Sequence, residues 1–247
     1  MTLNTLLYIW IGIAVILFPI ELFIKAPYGR HSKTTWGIMI PDKVGWMLME
    51  SWALIVFLII YSLHFNTNTY ALFFAGLYVL HYINRSFIYP LRTRTTGKKM
   101  PLMIALSAML FNSVNAGTIA YFLSNISVYT ADYFLQWNFI GGLALFATGF
   151  FINNKADTML INLRQPNETG YKIPKGFLFN YISCPNLFGE MLEWLGFALM
   201  VWNLAGVSFL IWTISNLLPR ALHHHKWYKE KFADYPKERK AVFPFLL

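Results

Sequence analysis

Seven apolar segments, each close to the length of a membrane-crossing helix, dominate this sequence. They cover residues 4–24, 45–63, 70–91, 101–123, 134–152, 186–202 and 204–222. About 20 predominantly apolar residues carry an α-helix across roughly 30 Å of hydrocarbon. Composition also argues against a soluble domain, because 57% of the 247 residues are hydrophobic and only 13% are charged, about half the charged fraction of soluble proteins.

The positions of the lysines and arginines support the same count of segments. The first, third and fifth connections each contain four of the 20 basic residues, and the chain from Arg220 onward contains seven. The second, fourth and sixth connections contain none, and Arg85 alone lies inside a segment. Because cytoplasmic loops are enriched in Lys and Arg, this alternation predicts an all-α integral membrane protein. We expect one domain over 1–247 with seven transmembrane helices, the N-terminus outside and the C-terminus cytoplasmic.

Three local features narrow the class further. The first segment has no basic region before it and no small-residue cleavage site, so we expect a retained span and not a signal peptide. The single cysteine, Cys184, excludes an internal disulfide and a cysteine-built metal site. The fifth connection, about 153–185, is long, and long loops are often functional. Its stretch NNKADTMLINLR predicts a short amphipathic helix.

Polar residues inside the apolar segments indicate functional positions, because an ionisable side chain at mid-bilayer costs about 2.5–3.5 kcal/mol. Segment two contains Glu50, which we interpret as functional; the alternative is a packing role in a pair with Arg85. In segment three, the spacing of Tyr78, Tyr82, Arg85 and Tyr89 predicts one shared helical face. Tyr89 would also suit an interfacial belt of aromatic residues.

Segment six opens with CPNLFGEMLEW, in which helical spacing predicts a polar stripe. The members of this stripe are Asn186, Glu190, Glu193 and Trp194. Such a stripe must face the bundle interior or an aqueous cavity, unless both glutamates lie at the membrane edge. In segment seven, Asn216, Arg220 and His224 recur every four residues. The neighbouring His run predicts no metal site, because consecutive helical side chains point about 100° apart.

Together these features predict an apolar chamber whose cytoplasmic mouth is basic. Arg and Lys bind phosphate oxygens strongly, which favours a phosphate-bearing ligand. The apolar chamber favours a lipid-like substrate. Neither GxGxxG nor GxxxxGK[ST] occurs in the sequence, so neither a Rossmann domain nor a P-loop supplies the phosphate site. We expect membrane lipid as surroundings, no nucleic-acid partner and a monomer.

Several motifs closely resemble those of the steroid 5α-reductase (3-oxo-5α-steroid 4-dehydrogenase) family. They are NLFGEMLEWLGFAL, RALHHHKWYKEKFADYPKERKAVFPFLL, YGRH at 28–31, LHYINRSFIYP at 80–90, INNKADTMLINLR at 152–164 and YKIP at 171–174. The resemblance covers nearly the whole chain. It implies a seven-helix membrane oxidoreductase whose cytosolic loops close over NADPH. The implied reaction reduces the C4–C5 double bond of 3-oxo-Δ4-steroids to the 5α product.

The resemblance also implies roles for individual residues. Glu50 and Tyr82 match the catalytic pair that polarises the steroid 3-keto oxygen, and Trp46, Phe111 and Trp194 would line the steroid slot. The residues implied in cofactor binding are Tyr28, Asn153, Asp157, Arg164, Tyr171, Lys172, Asn186, Glu190, Arg220, His224 and Tyr228. The chain departs from animal members at Met49, Ser107, Lys155 and Lys172, which leaves the substrate range open.

Other classes remain as alternatives. The nearest is a related reductase of a trans-2-enoyl-CoA or a polyprenol. A membrane methyltransferase that uses S-adenosylmethionine would leave the basic ring unexplained, and a seven-helix receptor or transporter would bind no NADPH. For the host membrane we expect a bacterial homologue in the inner membrane, or the endoplasmic reticulum if the chain is eukaryotic.

Overall fold

Helices account for nearly all of the regular structure among the described residues. The computed structural model describes residues 2–25, 35–94, 97–163, 165, 168 and 170–247. Its α-helices are α1 (Leu3–Phe23), α2 (Asp42–Leu63), α3 (Thr69–Ile83), α4 (Tyr89–Arg92), α5 (Leu102–Tyr121), α6 (Trp137–Asn162), α7 (Pro185–Val201) and α8 (Leu204–Lys231). Each of the seven predicted segments coincides with one of these helices or, for the third, with a pair. The prediction of an all-α fold is therefore confirmed.

Two of the spans contain π-helical turns, in which the backbone hydrogen bonds skip one extra residue. In the third segment, the turn Asn84–Ile88 joins α3 to α4. The second turn, Phe122–Ile126, follows α5. Short 3-10 helices at Ala131–Leu135 and Phe177–Asn180 precede α6 and α7. Because a π turn rotates the subsequent residues relative to ideal α geometry, α-helical spacing alone does not determine the positions of Arg85 and Tyr89.

Five stretches of the described chain are long and apolar enough to cross a membrane. They are Leu3–Phe23, Asp42–Leu63, Thr69–Arg92, Leu102–Ile126 and Leu204–Lys231. These stretches indicate a multi-pass membrane protein. Helix α7 has 17 residues, somewhat fewer than the roughly 20 that a perpendicular span requires. Helix α6 is long, but its last turns carry polar residues such as Asn153 and Asp157. Its continuation to Asn162 absorbs the stretch that we had expected to form a separate amphipathic helix.

The chain divides into two compact units. The first unit comprises Met1–Lys25, Gly141–Leu199 and Val207–Leu247; it holds α1 and most of α6, α7 and α8, and we call it the α6–α8 unit. The second comprises Ala26–Ile140 and Met200–Gly206; it holds α2 to α5, and we call it the α2–α5 unit.

Short strands and buried polar contacts hold the α2–α5 unit together. Strands β1 (Met39–Pro41) and β2 (Lys99–Pro101) pair antiparallel, with Ile40 opposite Met100, directly before α2 and α5. Further along these helices, the side-chain amide of Asn112 donates a 2.8 Å hydrogen bond to the Met49 carbonyl. Apolar helices packed in lipid depend on such contacts, because lipid supplies no hydrophobic drive between them.

The chain after α8 returns to pack against the beginning of α7 in the α6–α8 unit. The Ser183 amide donates to the Lys240 carbonyl at 2.8 Å, and the Cys184 amide donates to the Ala241 carbonyl at 3.1 Å. The core below this pairing contains Cys184, Leu187, Met191, Leu217, Ala221 and Val242. The C-terminal segment therefore fixes the ends of α7 and α8 that carry the candidate cofactor residues.

Candidate active site

Four residues that the resemblance implicates in cofactor binding form one polar cluster between α6 and α7. The side-chain amide of Asn153 donates to the Asn186 carbonyl at 3.0 Å and to a Glu190 carboxylate oxygen at 3.4 Å. The side-chain amide of Asn186 donates to an Asp157 carboxylate oxygen at 3.0 Å. Asn153 and Asp157 are buried. The i, i+4 spacing on each helix places both pairs on facing sides, and the structure brings the four residues together.

Glycines let the two helix backbones approach closely at this cluster. A Cβ atom at Gly149 would overlap the backbone of Gly189 and Glu193, and one at Gly189 would overlap the backbone of Asn153. Further along the pair, a Cβ atom at Gly196 would overlap the α6 backbone. Small residues at helix crossings are typical of membrane bundles. Sequence reasoning missed these glycines, although the seven-residue spacing of Gly189 and Gly196 on α7 was visible.

The remaining members of the segment-six stripe are buried. Glu193 has no exposed surface, so the alternative that both glutamates lie at the membrane edge is wrong for this residue. Trp194 is 2% exposed and packs edge-on against Phe209 at a centroid distance of 4.5 Å. Trp194 therefore belongs to the α6–α8 unit, whereas the other implied steroid-slot residues belong to the α2–α5 unit.

Helix α8 presents its predicted polar face towards the end of α1. The Arg220 guanidinium donates to the Asn216 side-chain oxygen at 2.9 Å, and the Glu21 carboxylate acts on it electrostatically. A ring nitrogen of His223 lies 2.9 Å from the Glu21 carbonyl oxygen. Sequence reasoning missed Glu21; an acidic residue near the end of an apolar span was the available signal.

The other implied cofactor residues have different surroundings. Tyr228 is buried and stacks on Tyr235 at 5.3 Å, and the ring of Tyr171 packs edge-on against Trp227 at 4.8 Å. Lys172 forms an exposed ion pair with Glu168 at 2.6 Å. His224 lies on α8 and is partly exposed. Tyr28 and Arg164 lie outside the described residues.

In the α2–α5 unit, Tyr82 and Tyr78 lie on one face of α3. Tyr78 is fully buried and Tyr82 is 4% exposed, and their ring centroids are 4.6 Å apart. The Tyr78 hydroxyl interacts with the Tyr82 side chain, and the Glu50 carboxylate acts on it electrostatically. The stacked ring of Phe57, 4.3 Å away, covers the other side of Tyr78. Tyr78 thus packs against Tyr82 and lies within electrostatic range of Glu50.

Trp46 and Arg85 form a separate group next to this face. The Trp46 indole donates to the Arg85 carbonyl at 3.2 Å. The Arg85 guanidinium carbon lies 4.9 Å from the Trp46 ring centroid and 4.7 Å from that of Tyr89, within range of a cation–π interaction. Arg85 and Tyr89 remain together despite the π turn between them. Phe111 is a partly exposed residue of α5, one position before the buried Asn112.

The two groups offer different chemistry. The α6–α7 cluster combines amide donors with carboxylate acceptors, a set that can bind a carboxamide or ribose hydroxyls. The group on α2 and α3 combines a phenol with a carboxyl in apolar surroundings, which can donate hydrogen bonds to a carbonyl oxygen. Asn112, which sequence reasoning missed, fixes the backbone next to Glu50 through its bond to Met49.

The chain is similar to proteins of one enzyme family. Residues 98–247 match the family model described as 3-oxo-5-alpha-steroid 4-dehydrogenase. The steroid 5-alpha-reductase DET2 of Solanum lycopersicum is 43% identical, over 98% of this chain and 97% of the relative. The 3-oxo-5-alpha-steroid 4-dehydrogenase 1 of Rattus norvegicus is 40% identical over 91% and 87%, and that of Homo sapiens is 36% identical over 99% and 95%.

These relatives bear on the expected host membrane. They come from a plant and two mammals. The expectation of a bacterial homologue in an inner membrane is therefore not supported.

Proposed function

We propose that this chain, which belongs to the 3-oxo-5-alpha-steroid 4-dehydrogenase family, reduces the C4–C5 double bond of 3-oxo-Δ4-steroids to the 5α product. One observation carries the proposal: the similarity to a curated steroid 5-alpha-reductase extends along 98% of the chain at 43% identity. The phenol and carboxyl beside Tyr78 agree with it, because a reductase of this type must stabilise charge on a substrate carbonyl.

We further propose NADPH as the reductant, held in the α6–α8 unit. A nicotinamide carboxamide has one acceptor and two donors, which match the Asn186 amide and the Glu190 carboxylate. The Asp157 carboxylate suits a ribose hydroxyl, and Arg220 suits a phosphate. When bound, the cofactor supplies the hydride. Supporting this assignment, the Asn153 amide donates to the backbone carbonyl of Asn186 and to the Glu190 carboxylate, which joins α6 to this part of α7.

The protein's own contribution on the substrate side is stabilisation of the 3-keto oxygen. Negative charge develops on this oxygen when hydride reaches C5, and preorganised donors in a dry site lower the barrier. The Tyr82 hydroxyl can donate directly, whereas Glu50 donates only when its carboxyl is protonated. We expect Tyr78 to orient the Tyr82 hydroxyl through the interaction between their side chains. A proton, from solvent or through a relay, completes the reaction at C4.

The proposed topology has seven crossings, with the C-terminus and the odd-numbered connections in the cytosol. Two observations support it: helices occur at all seven predicted segments, and every connection assigned to the cytosolic side is basic. With plant and mammalian relatives, we propose the endoplasmic reticulum as the host membrane. Protease protection of tags placed at each end in sealed microsomes tests the orientation.

Product analysis tests the proposed reaction. The purified full chain is incubated with NADPH and testosterone or progesterone, and the product is analysed for its configuration at C5. We expect the 5α product, and an incubation without NADPH serves as the background control. Parallel incubations contain a trans-2-enoyl-CoA and a polyprenol. Reduction of either without reduction of the steroids would reject the steroid assignment and keep a related reductase.

A further inference from the structure

A basic cleft lies between the end of α8 and the C-terminal segment, within the α6–α8 unit. Its volume is about 220 Å³. The basic residues that line it are His225, Lys229, Lys237, Arg239 and Lys240. Apolar residues, among them Leu222 and Leu246, complete the lining, and it includes no Asp or Glu side chain.

The cleft uses a different face of α8 from the candidate cofactor site. Arg220, His224 and Tyr228 follow each other at intervals of four residues and share one face. Leu222 and Lys229, which line the cleft, are offset from that face by about 100–200° at roughly 100° per residue. The cleft therefore does not continue the polar face that the family resemblance assigned to the cofactor.

Among the described residues, no Asp or Glu side chain neutralises the positive charge of this cleft. None forms an ion pair with Lys229, Lys237, Arg239 or Lys240, and the ion pairs Lys172–Glu168 and Lys226–Glu230 lie outside the cleft lining. The lining also includes Leu247, whose carbonyl oxygen accepts from the amides of Val242 and Phe243. A lysine whose ammonium group is solvated loses little free energy when it has no paired carboxylate. A buried cation without a paired carboxylate is much less stable. The cleft therefore contains one residue for which a bound anion would be especially favourable.

That residue is Arg239, which is 4% exposed. One guanidinium nitrogen donates to the Pro174 carbonyl at 3.2 Å, and its central carbon lies 5.0 Å from the Tyr235 ring centroid. Its Nε atom is buried and has no hydrogen-bond acceptor among the described residues. A carbonyl and an aromatic face offset only part of the cost of burying a charge.

The cleft is also held in shape before any ligand binds. Ser183 lies at the centre of its support: its hydroxyl is 2.5 Å from a His225 ring nitrogen and 2.6 Å from the Tyr235 hydroxyl. The same hydroxyl donates to the Lys240 carbonyl at 3.0 Å. Helix α8 and the C-terminal segment are thereby both bonded to the buried Ser183. This pre-organisation lowers the conformational entropy lost when a ligand binds.

From these observations we infer that the cleft binds a phosphate-bearing anion, and that its occupant is the headgroup of an anionic phospholipid. Arg and Lys are the side chains that bind phosphate oxygens most strongly. The cleft adjoins the end of the last apolar span, where basic clusters attract anionic lipids. Leu222 and Leu246 give it an apolar wall suited to the first carbons of the acyl chains. Free phosphate shares the headgroup chemistry but would leave this wall unused.

Thermal unfolding of the full chain in an uncharged detergent, without nicotinamide cofactor, tests the inference. Dioctanoyl phosphatidylglycerol, dioctanoyl phosphatidylcholine and inorganic phosphate are titrated separately. We expect phosphatidylglycerol to raise the unfolding temperature at concentrations at which phosphatidylcholine does not. Inorganic phosphate should act only at much higher concentrations. The double variant Lys229→Gln/Lys240→Gln should shift the midpoint of the phosphatidylglycerol response by about tenfold or more.

A matched variant separates the cleft from general surface charge. Lys226→Gln/Lys231→Gln removes the same charge from exposed residues of α8 that do not line the cleft, and it should keep the wild-type response. Equal responses to both lipids, or an unchanged response in the cleft variant, would overturn the inference. A cleft-dependent response to phosphate alone would reject the lipid and keep the phosphate site. Loss of NADPH binding in the cleft variant would instead assign these lysines to the cofactor site and also overturn the inference.

Discussion

The side-chain amide of Asn153 donates a hydrogen bond to the backbone carbonyl of Asn186, 3.0 Å away on the neighbouring helix. This bond joins α6 to the first turn of α7. A carbonyl in the first turns of a helix normally accepts from its own helix, so the amide supplies a second donor to it. Because Asn153 is 2% exposed, water cannot replace the amide at this position.

Asn153→Ala should weaken NADPH binding by about tenfold, since a buried hydrogen bond contributes about 1–1.5 kcal/mol and its loss releases Asn186 and Glu190. The steroid Michaelis constant should change little. Titration of the purified variant with NADPH, followed by protein fluorescence, measures the effect. Asn154→Ala is the matched control, because the neighbouring amide donates to the Phe150 carbonyl of its own helix. Equal losses in both variants would contradict a specific role for Asn153.

The facing pairs of this cluster illustrate what could be predicted from sequence. Helical spacing alone placed Asn186 and Glu190 on one side of their helix, and the charge pattern located the helices themselves. Neither helical spacing nor the charge pattern could indicate which helices contact each other, because lipid-exposed and buried residues of a membrane span are both apolar. The close contact between α6 and α7 depends on Gly149 and Gly189. A hydropathy pattern does not identify the glycines that allow two helices to approach.

The predicted C-terminal ends of two helices were wrong for a related reason. Helix α8 continues to Lys231, nine residues beyond the predicted end of its apolar segment, because hydropathy does not register a polar helix that leaves the membrane. Helix α6 similarly extends to Asn162. The π turn at Asn84–Ile88 was also not predicted, because hydropathy and helical spacing do not report a local change in backbone hydrogen bonding. The Trp46 indole donates to the Arg85 carbonyl within this turn.

Gly149→Ala should strongly destabilise the protein. Its new methyl group would overlap the backbone of Gly189 and Glu193, and backbone atoms cannot rotate away as a side chain can, so overpacking should cost at least about 1–3 kcal/mol. Gly141→Ala on the same helix is the matched control, because its Cβ would meet nothing within 4 Å. Alanine there should be neutral or stabilising by up to about 1 kcal/mol. Unfolding temperatures in detergent distinguish the two, and equal temperatures would refute the close approach.

Tyr82→Phe should lower turnover of a 3-oxo-Δ4-steroid by about 10²-fold or more, the scale of losing one oxyanion donor. NADPH binding should survive, because the change removes a single oxygen from the α2–α5 unit. Glu50→Gln should act in the same direction. Tyr78→Phe is the informative comparison: if Tyr78 only orients Tyr82, its loss should reduce turnover less. Near-normal turnover in both Tyr82→Phe and Glu50→Gln would exclude them as the catalytic pair.

Arg164→Ala should chiefly raise the Michaelis constant for NADPH, as expected for a residue that binds a cofactor phosphate. Turnover at saturating NADPH should stay close to that of the unchanged chain. Lys175→Ala, which removes a basic residue from the same connection, is the control. Steady-state kinetics with varied NADPH at a fixed steroid concentration give both constants. An unchanged Michaelis constant would move the phosphate site to other basic residues.

Alkaline pH should destabilise the protein through Tyr129. This residue lies in the connection between the apolar stretch that ends at Ile126 and helix α6. Burial raises the pKa of Tyr129 from 10.0 to about 12, and its hydroxyl donates to the Val201 carbonyl at 2.8 Å. Because the folded chain holds this proton more tightly than the unfolded chain, the stabilisation is complete below pH 10 and is lost as the pH rises towards 12. The loss amounts to about 2–3 kcal/mol.

Tyr129→Phe should lower stability at pH 8 by about 1 kcal/mol but flatten the decline between pH 10 and 12. Tyr181→Phe, at a half-exposed position, should retain the full decline. Unfolding midpoints measured across this range decide the matter, and a slope in Tyr129→Phe as steep as in the unchanged chain would refute the assignment.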